Sequence, residues 1–277
     1  MTVTVALATA EGVVLGSDST TTVGFSTPAG LQVGQLYNSA QKIFEIGPAN
    51  CDFKSGCSFS AGLAMWGDGA FGPLSWRAVI NEFWAREISP RTDPIADLSR
   101  MFLAFLQGKW AELQQGQQIP QNLPIPDTGF ALAAIHKNTF EVHAAQIDLR
   151  AATVDSLQRS DIRVGGDPTT FYRLVSGFDN RILAELPKNG IDPAAFQRTV
   201  QQFSIEPYLA QMPLRDAIDF VHFMVYSSIK MHRYKGGPAT VGGPIEIAAI
   251  TADRGFRWVL HKPLYESIGI PRGDHTP

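Results

Sequence analysis

The first residue that could act as a nucleophile is Thr2, which directly follows the initiator methionine. Initiator methionine is generally removed when the next residue is small, and we assume that removal here. Thr2 would then carry its hydroxyl and a free α-amine on one residue, and an N-terminal amine is a recognised activator of a threonine nucleophile. The pKa of such an amine is about 7.7–8 in peptides, so a useful fraction is neutral near pH 7. A threonine that simply begins a strand gives the same pattern.

A carboxylate and an ammonium group follow, each at the end of a predicted strand. Asp18 comes after the apolar run Val13–Leu15, and Lys42 stands directly before Ile43. At a buried strand edge these two charges would neutralise each other. From the residues alone, two ordinary solvated charges at strand ends are the simpler interpretation.

Bulk composition excludes several classes of protein. The 277 residues are 44% hydrophobic and carry a net charge of -3, with no basic run for nucleic acid. The histidines and the two cysteines, Cys51 and Cys57, lack zinc-ligand spacing, and no phosphate-binding loop is present, so we predict no metal and no cofactor. Free thiols are the simpler interpretation of the cysteines. Without a signal-like start or a run of about 18 apolar residues, the chain is predicted to be soluble, cytoplasmic and not membrane-bound.

The first half of the chain changes from a strand pattern to a helical one. Strands are predicted at 2–8, 12–17, 42–46 and 57–65. Residues 19–41, rich in Thr, Ser and Gly, are predicted to form a loop or irregular ribbon. Apolar residues then recur at helical spacing from Trp76 to Trp84, and Asp93-Pro94 is a typical helix start, because an N-cap carboxylate precedes a proline.

The second half repeats this order. Strand hairpins are predicted around turns at 136–138 and 252–255. Helices are predicted between them from Pro168 to about Leu186, from Asp192-Pro193 onward, and over 214–229. Because strands and helices are segregated, the order predicts an α+β fold with two stacked sheets and helix pairs outside, a four-layer αββα sandwich. No linker divides the chain, so residues 1–277 are predicted to form one domain.

The stretch TVTVALATAEGVVLGSDSTTT resembles the start of a mature proteasome β-type subunit, an N-terminal nucleophile hydrolase. In that family a threonine begins the chain, a hairpin follows, and an acidic residue stands sixteen positions after the threonine, as Asp18 does after Thr2. The family's catalytic lysine precedes an apolar strand, and Lys42 in QKIFEI matches it.

The resemblance continues through most of the chain, with insertions near 22–40 and 177–212. Ala61-Gly62 matches the family's Ala-Gly pair, whose glycine N–H forms the oxyanion hole. Near the end, TVGGPIEI is similar to the corresponding strand of bacterial ancestral β-subunits.

This resemblance implies a mechanism in which Thr2 Oγ1 attacks an amide carbonyl and its own amine accepts the proton. Lys42, held by Asp18, would supply the positive potential that favours the alkoxide and the neutral amine. The Gly62 N–H would donate to the developing oxyanion, and water would release an acyl-enzyme ester.

Two departures from the family concern the residues around the nucleophile. Where the family has a serine in a Gly-Ser-Gly loop, this chain has VGGDPTT, so Gly166 or Asp167 replaces that serine. The family also places an aspartate and a serine before its last strand pair, and Thr240 is the hydroxyl nearest to that position here. A retained Met1 would block the amine.

The resemblance implies a threonine-dependent peptidase that assembles from identical subunits into a ring or open helix. Its partners would be peptide or unfolded protein, with an unfoldase as a further expected partner. Two alternatives stay open: a structural or binding ring with little catalysis, and a small-molecule amidase on the same fold. The aromatic residues of the first helix fit either a core or a contact between subunits.

Overall fold

The computed structural model describes residues 2–27, 30–47, 59–89, 97–136, 142–204, 208–209 and 211–262. The strands are β1 Val3–Ala8, β2 Gly12–Ser17, β3 Thr21–Thr27, β4 Gly30–Tyr37, β5 Ile43–Ile46, β6 Phe59–Gly67, β7 Thr128–His136, β8 Val142–Asp148, β9 Thr153–Leu157, β10 Ile162–Gly166, β11 Glu246–Thr251 and β12 Gly255–Leu260. The helices are α1 Trp76–Phe83, α2 Leu98–Gln115, α3 Thr169–Val175, α4 Ile182–Glu185, α5 Pro193–Gln201 and α6 Leu214–Tyr234. A π-helical turn, Trp84–Ile88, continues α1, and a 3₁₀ turn, Pro187–Asn189, follows α4.

Two antiparallel sheets dominate the structure. Sheet I has the strand order β10-β1-β2-β11-β12, and sheet II has the order β5-β6-β7-β8-β9. The hairpin β1–β2 pairs Thr4 with Ser17, and β2 also pairs with β11 from the far end of the chain. Sheet I therefore combines strands from the start of the sequence (β1 and β2), from its middle (β10) and from its end (β11 and β12).

Buried apolar residues form three clusters that connect these elements. One cluster, which includes Phe83, packs α1 and α2 against sheet II. A second brings Leu15 of sheet I against Ala131 of sheet II. A third packs Val14 of sheet I against Val221 of α6. Since Val14 and Leu15 are adjacent and point to opposite faces of β2, sheet I contacts sheet II on one face and helices on the other.

Capping residues account for where several helices begin. The side chain of Ser75 accepts a hydrogen bond from the Ala78 N–H at the start of α1. Asp192 does the same for two N–H groups of α5, and Pro193 follows it, as the sequence predicts. Helix α2 begins at Leu98 with Asp97 as its cap.

The structure corrects some of the predicted elements. Residues 19–41, predicted to form a loop or irregular ribbon, contain an antiparallel strand pair, β3 and β4, whose register shifts between Val23 and Gly24. The helix predicted from Pro168 to Leu186 ends at Val175 and is followed by the short α4, with Gly177 at a φ of 79° between them. Strands β9 and β10 were not predicted.

Some predictions concern residues outside those that the structure describes. These are the state of Cys51 and Cys57, the helix start at Asp93-Pro94, and the later part of the turn at 136–138. In the part of the chain that is described, no helix has both the length and the apolar character needed to cross a membrane.

Candidate active site

Thr2 lies at the start of β1, buried between the ends of the two neighbouring strands. The Asp167 N–H donates to the Thr2 carbonyl at 2.8 Å, just beyond β10. Gly166 has a φ of 80°, and a Cβ there would stand 1.9 Å from the Thr2 carbonyl oxygen. Only glycine allows this close approach. Gly166 thereby lets the Asp167 N–H reach the Thr2 carbonyl and hold the backbone of Thr2 in place.

The Asp18 carboxylate is fully buried and accepts four hydrogen bonds. Oδ1 accepts from the Val3 N–H at 3.0 Å and from Lys42 Nζ at 2.7 Å. Oδ2 accepts from the Thr20 N–H at 3.1 Å and from the Gly242 N–H at 3.0 Å. Both oxygens of this buried carboxylate therefore have hydrogen-bond donors. Asp18 therefore ties β1, β5 and the segment before β11 together.

Lys42 forms the buried ion pair with Asp18 and is only 5% exposed. The Lys42 carbonyl accepts a hydrogen bond from the Met65 N–H at 2.9 Å, which holds the Lys42 backbone beside the end of β6. Burial lowers the pKa of the Lys42 ammonium below its usual 10.5, against the opposing charge of Asp18. The positive charge of Lys262 lowers that pKa further.

A second group of charges, which the sequence analysis did not identify, lies next to this pair. Glu246 is fully buried at the start of β11, with Lys262 Nζ 2.9 Å from one carboxylate oxygen and His261 Nδ1 2.7 Å from the other. Neither oxygen accepts an aligned hydrogen bond from the described residues, so the Lys262 contact is an ion pair by distance and the His261 contact is a close approach. Lys262 Nζ also donates to Ser19 Oγ at 3.0 Å and to the Ala40 carbonyl at 2.8 Å.

Through these two hydrogen bonds Lys262 links the chain segment that carries Asp18 to the segment that carries Lys42. The Ala40 N–H donates to the Ser19 carbonyl at 2.8 Å, which closes the contact. Lys262 stands 15 residues beyond the end of the TVGGPIEI stretch and carries no local signal. The pairing of β11 with β2 brings this end of the chain to the site.

Thr2 and Lys42 line the same cleft, which has a volume of about 300 Å³. Its other walls include Thr21 from β3, the end of β6, and the start of α1. Arg77 of α1 lines it too, and its guanidinium lies 5.0 Å from the centre of the Phe44 ring. A hydroxyl group and a cation therefore line one cleft, and both are groups that acyl transfer uses.

Gly67 forms the turn at the end of β6, inside this cleft. Its φ is 99°, and a Cβ would stand 2.1 Å from the Asp127 carbonyl oxygen, so the position requires glycine. The turn is held because the Asp68 N–H donates to the Asp127 carbonyl and the Trp76 indole donates to the Asp68 carbonyl. The Met65 N–H points toward β5. Because N–H groups two residues apart in a strand point to the same edge, the Gly67 N–H points to that edge as well.

The structure does not bring the other two predicted residues into the cleft. Gly62 lies inside β6, opposite Glu45 and Ala133, and a Cβ there would meet the Phe256 ring at 2.4 Å. Its missing side chain makes room for packing between the sheets. Thr240 is buried next to the segment that bonds Asp18, and its hydroxyl has no hydrogen-bond partner among the described residues. Thr2, Asp18 and Lys42 are brought together.

The sequence matches no protein-family model and no curated protein. Solved structures do share the fold. The Anbu (Gly-1) mutant from Hyphomicrobium sp. strain MC1 aligns with a TM-score of 0.52 and 13% identity, over 95% of this chain and 86% of that one. The Anbu complex from Pseudomonas aeruginosa, solved as a helical assembly, aligns with a TM-score of 0.53 and 13% identity, over 96% and 90%. At this low identity the likeness shows the fold alone: the chain shares the α+β fold of these two Anbu structures.

Proposed function

We propose that the chain is an N-terminal threonine hydrolase that cleaves amide bonds through an acyl-enzyme on Thr2 after removal of Met1. The observation that carries this proposal is the convergence of Thr2 and the Asp18–Lys42 pair at one cleft, in a fold of the N-terminal nucleophile type. Thr2 Oγ1 would attack the carbonyl carbon while the α-amine takes the hydroxyl proton.

Lys42 would act by its positive charge. An ammonium beside the nucleophile favours the alkoxide and keeps the α-amine neutral. Asp18 would hold Lys42 in place and balance its charge, since the pair is buried and its carboxylate is fully hydrogen-bonded. The loop at Asp167, where the family has a serine, would fix the nucleophile through the Thr2 carbonyl.

We assign the oxyanion hole to the Gly67 N–H in place of Gly62. Gly67 lines the cleft with Thr2, and its N–H points to the edge of β6 beyond Lys42. Removing one oxyanion-hole donor costs about 2.7–4 kcal/mol of transition-state stabilisation in a serine protease. Thr240, whose buried hydroxyl has no hydrogen-bond partner within the described part of the chain, is proposed as a supporting residue near Asp18.

The wider proposals follow the same resemblance. The three packing clusters support a four-layer αββα sandwich built from one domain. A cytoplasmic assembly of identical subunits, in a ring or open helix, is supported by the helical assembly of the Pseudomonas aeruginosa Anbu complex. Peptide or unfolded protein is the proposed substrate, with an unfoldase as a proposed partner.

Covalent labelling tests this function. We expect a peptide vinyl sulfone, which bonds to a nucleophilic hydroxyl, to add one adduct mass to the protein, and peptide mapping to locate it on Thr2. Thr2→Ala should lose the adduct, whereas the matched variant Thr2→Ser should keep it. Equal labelling of Thr2→Ala, or none of the wild type, would refute the proposal and favour a non-catalytic ring. A panel of peptides and small amides then separates a peptidase from a small-molecule amidase.

A further inference from the structure

Helix α6 carries an exposed stripe that its own chain does not cover. Phe223 and Tyr226, in the middle of the helix, are 49% and 46% exposed. Asp216 and Asp219 lie one and two turns before them, and basic residues lie after them. The stripe consists of Asp216, Asp219, Phe223, Tyr226, Lys230 and Arg233. Its members follow one another at steps of three and four residues, so they share one face of the helix.

This face points away from the rest of the molecule. The buried residues of α6, among them Val221, Val225 and Ser228, lie on the opposite side and pack against sheet I. An apolar centre exposed along a helix of 21 residues, about 30 Å long, is unusual for a helix that faces only water. The stripe has the spacing of a seam between two helices.

The charges of the stripe have no ion-pair partner among the described residues of their own chain. Acidic residues stand in its N-terminal half and basic residues in its C-terminal half. The one contact within the stripe is between Lys230 Nζ and the Tyr226 ring, at 5.0 Å. A partner that covers the stripe should therefore offer the same charges in the reverse order.

A second α6, laid antiparallel, offers that arrangement. The stripe is symmetric about the midpoint between Met224 and Val225, because its members fall at equal distances on either side of that point. The resulting opposed pairs are Asp216 with Arg233, Asp219 with Lys230, and Phe223 with Tyr226. A two-fold axis would form each pair twice, which is the property of an isologous interface.

We propose that α6 is a self-complementary interface, at which two copies of this chain pair antiparallel with Phe223 and Tyr226 at the centre. This inference rests on the proposed function only in expecting identical subunits, and it identifies one surface that joins them. Aromatic side chains at the centre and charges at the two ends match the usual pattern of an interface core and rim.

Charge reversal on the full-length protein tests the interface. Asp219→Lys and Lys230→Asp, each alone, would place like charges opposite each other twice. We expect each to weaken the pairing at least about tenfold and to lower the mass of the assembly in analytical ultracentrifugation. The combined variant D219K/K230D restores opposite charges and should regain the wild-type mass. Asp155→Lys, an exposed change on β9 away from α6, is the matched control and should leave the mass unchanged.

Three results would overturn the inference: a monomeric wild type, single variants with the wild-type mass, or a combined variant that stays dissociated. If the combined variant stays dissociated while Asp155→Lys behaves as wild type, the proposed pairing of Asp219 with Lys230 across the interface is rejected. Labelling of Thr2 is measured on the same samples. An adduct on Thr2 with unchanged masses would reject the interface and leave the proposed chemistry intact.

Discussion

Asp18, just after β2, and Lys42, just before β5, form a buried ion pair, and most of the candidate site depends on it. Buried pairs are costly to desolvate, so they persist where further hydrogen bonds satisfy both partners. Asp18 meets this condition through three backbone N–H groups and Lys42. The pair therefore organises the backbone around Thr2 in addition to its proposed electrostatic role.

Asp18→Asn should destabilise the protein strongly, since it leaves the Lys42 charge buried without a counter-charge. We expect a loss of about 3–5 kcal/mol in the free energy of unfolding. Urea denaturation measures it, with the exposed change Asp155→Asn as the control, which should stay within about 0.5 kcal/mol of wild type. A loss of less than about 1 kcal/mol would mean that the ion pair does not organise this site.

Thr2, Asp18 and Lys42 were predicted as site residues because their order and spacing resemble the start of a proteasome β-type subunit, whereas their positions at strand ends alone favoured ordinary solvated charges. Gly67 was not predicted, because Gly62, Gly67 and Gly69 lie close together in sequence and Gly62 matched the family's Ala-Gly pair. The structure shows that Gly67 and Gly69 line the cleft, whereas Gly62 lies inside β6.

At the scale of elements, the helix α6 approaches sheet I so closely that a side chain is missing at the contact. A Cβ on Gly16 of β2 would stand 2.3 Å from Val221 Cγ1 of α6. The strands β1, β2 and β11 and this helix were predictable from their periodicity, whereas their contact was not. The hairpin β3–β4 was missed because its threonine and glycine content is also typical of loops.

Gly16→Ala tests this contact, because the added methyl group would overpack the space between β2 and α6. We expect a loss of about 1–3 kcal/mol in the free energy of unfolding, because the added methyl group collides with Val221. Val221→Ala removes the colliding group, so the double variant should be more stable than the sum of the two single losses predicts. Simple additivity in urea denaturation would show that α6 does not press on β2 at this point.

At the scale of the whole molecule, the sheets bring together residues that are far apart in sequence. Glu246 and Lys262, from the last strand pair, lie beside Asp18 and Lys42 from the beginning. Such long-range contacts produce no local pattern, which is why the second charge group was not predicted. The α+β order of strands and helices was predictable, because it follows from periodicity summed over long segments.

The central claim is that Thr2 acts as a nucleophile with a free α-amine, and mass spectrometry of the intact protein tests it most directly. We predict that the catalytically competent protein is lighter than its translated sequence by one methionine residue, and that its N-terminal peptide begins with Thr2. A preparation that cleaves amides or accepts the electrophile at Thr2 while it keeps Met1 would contradict the account.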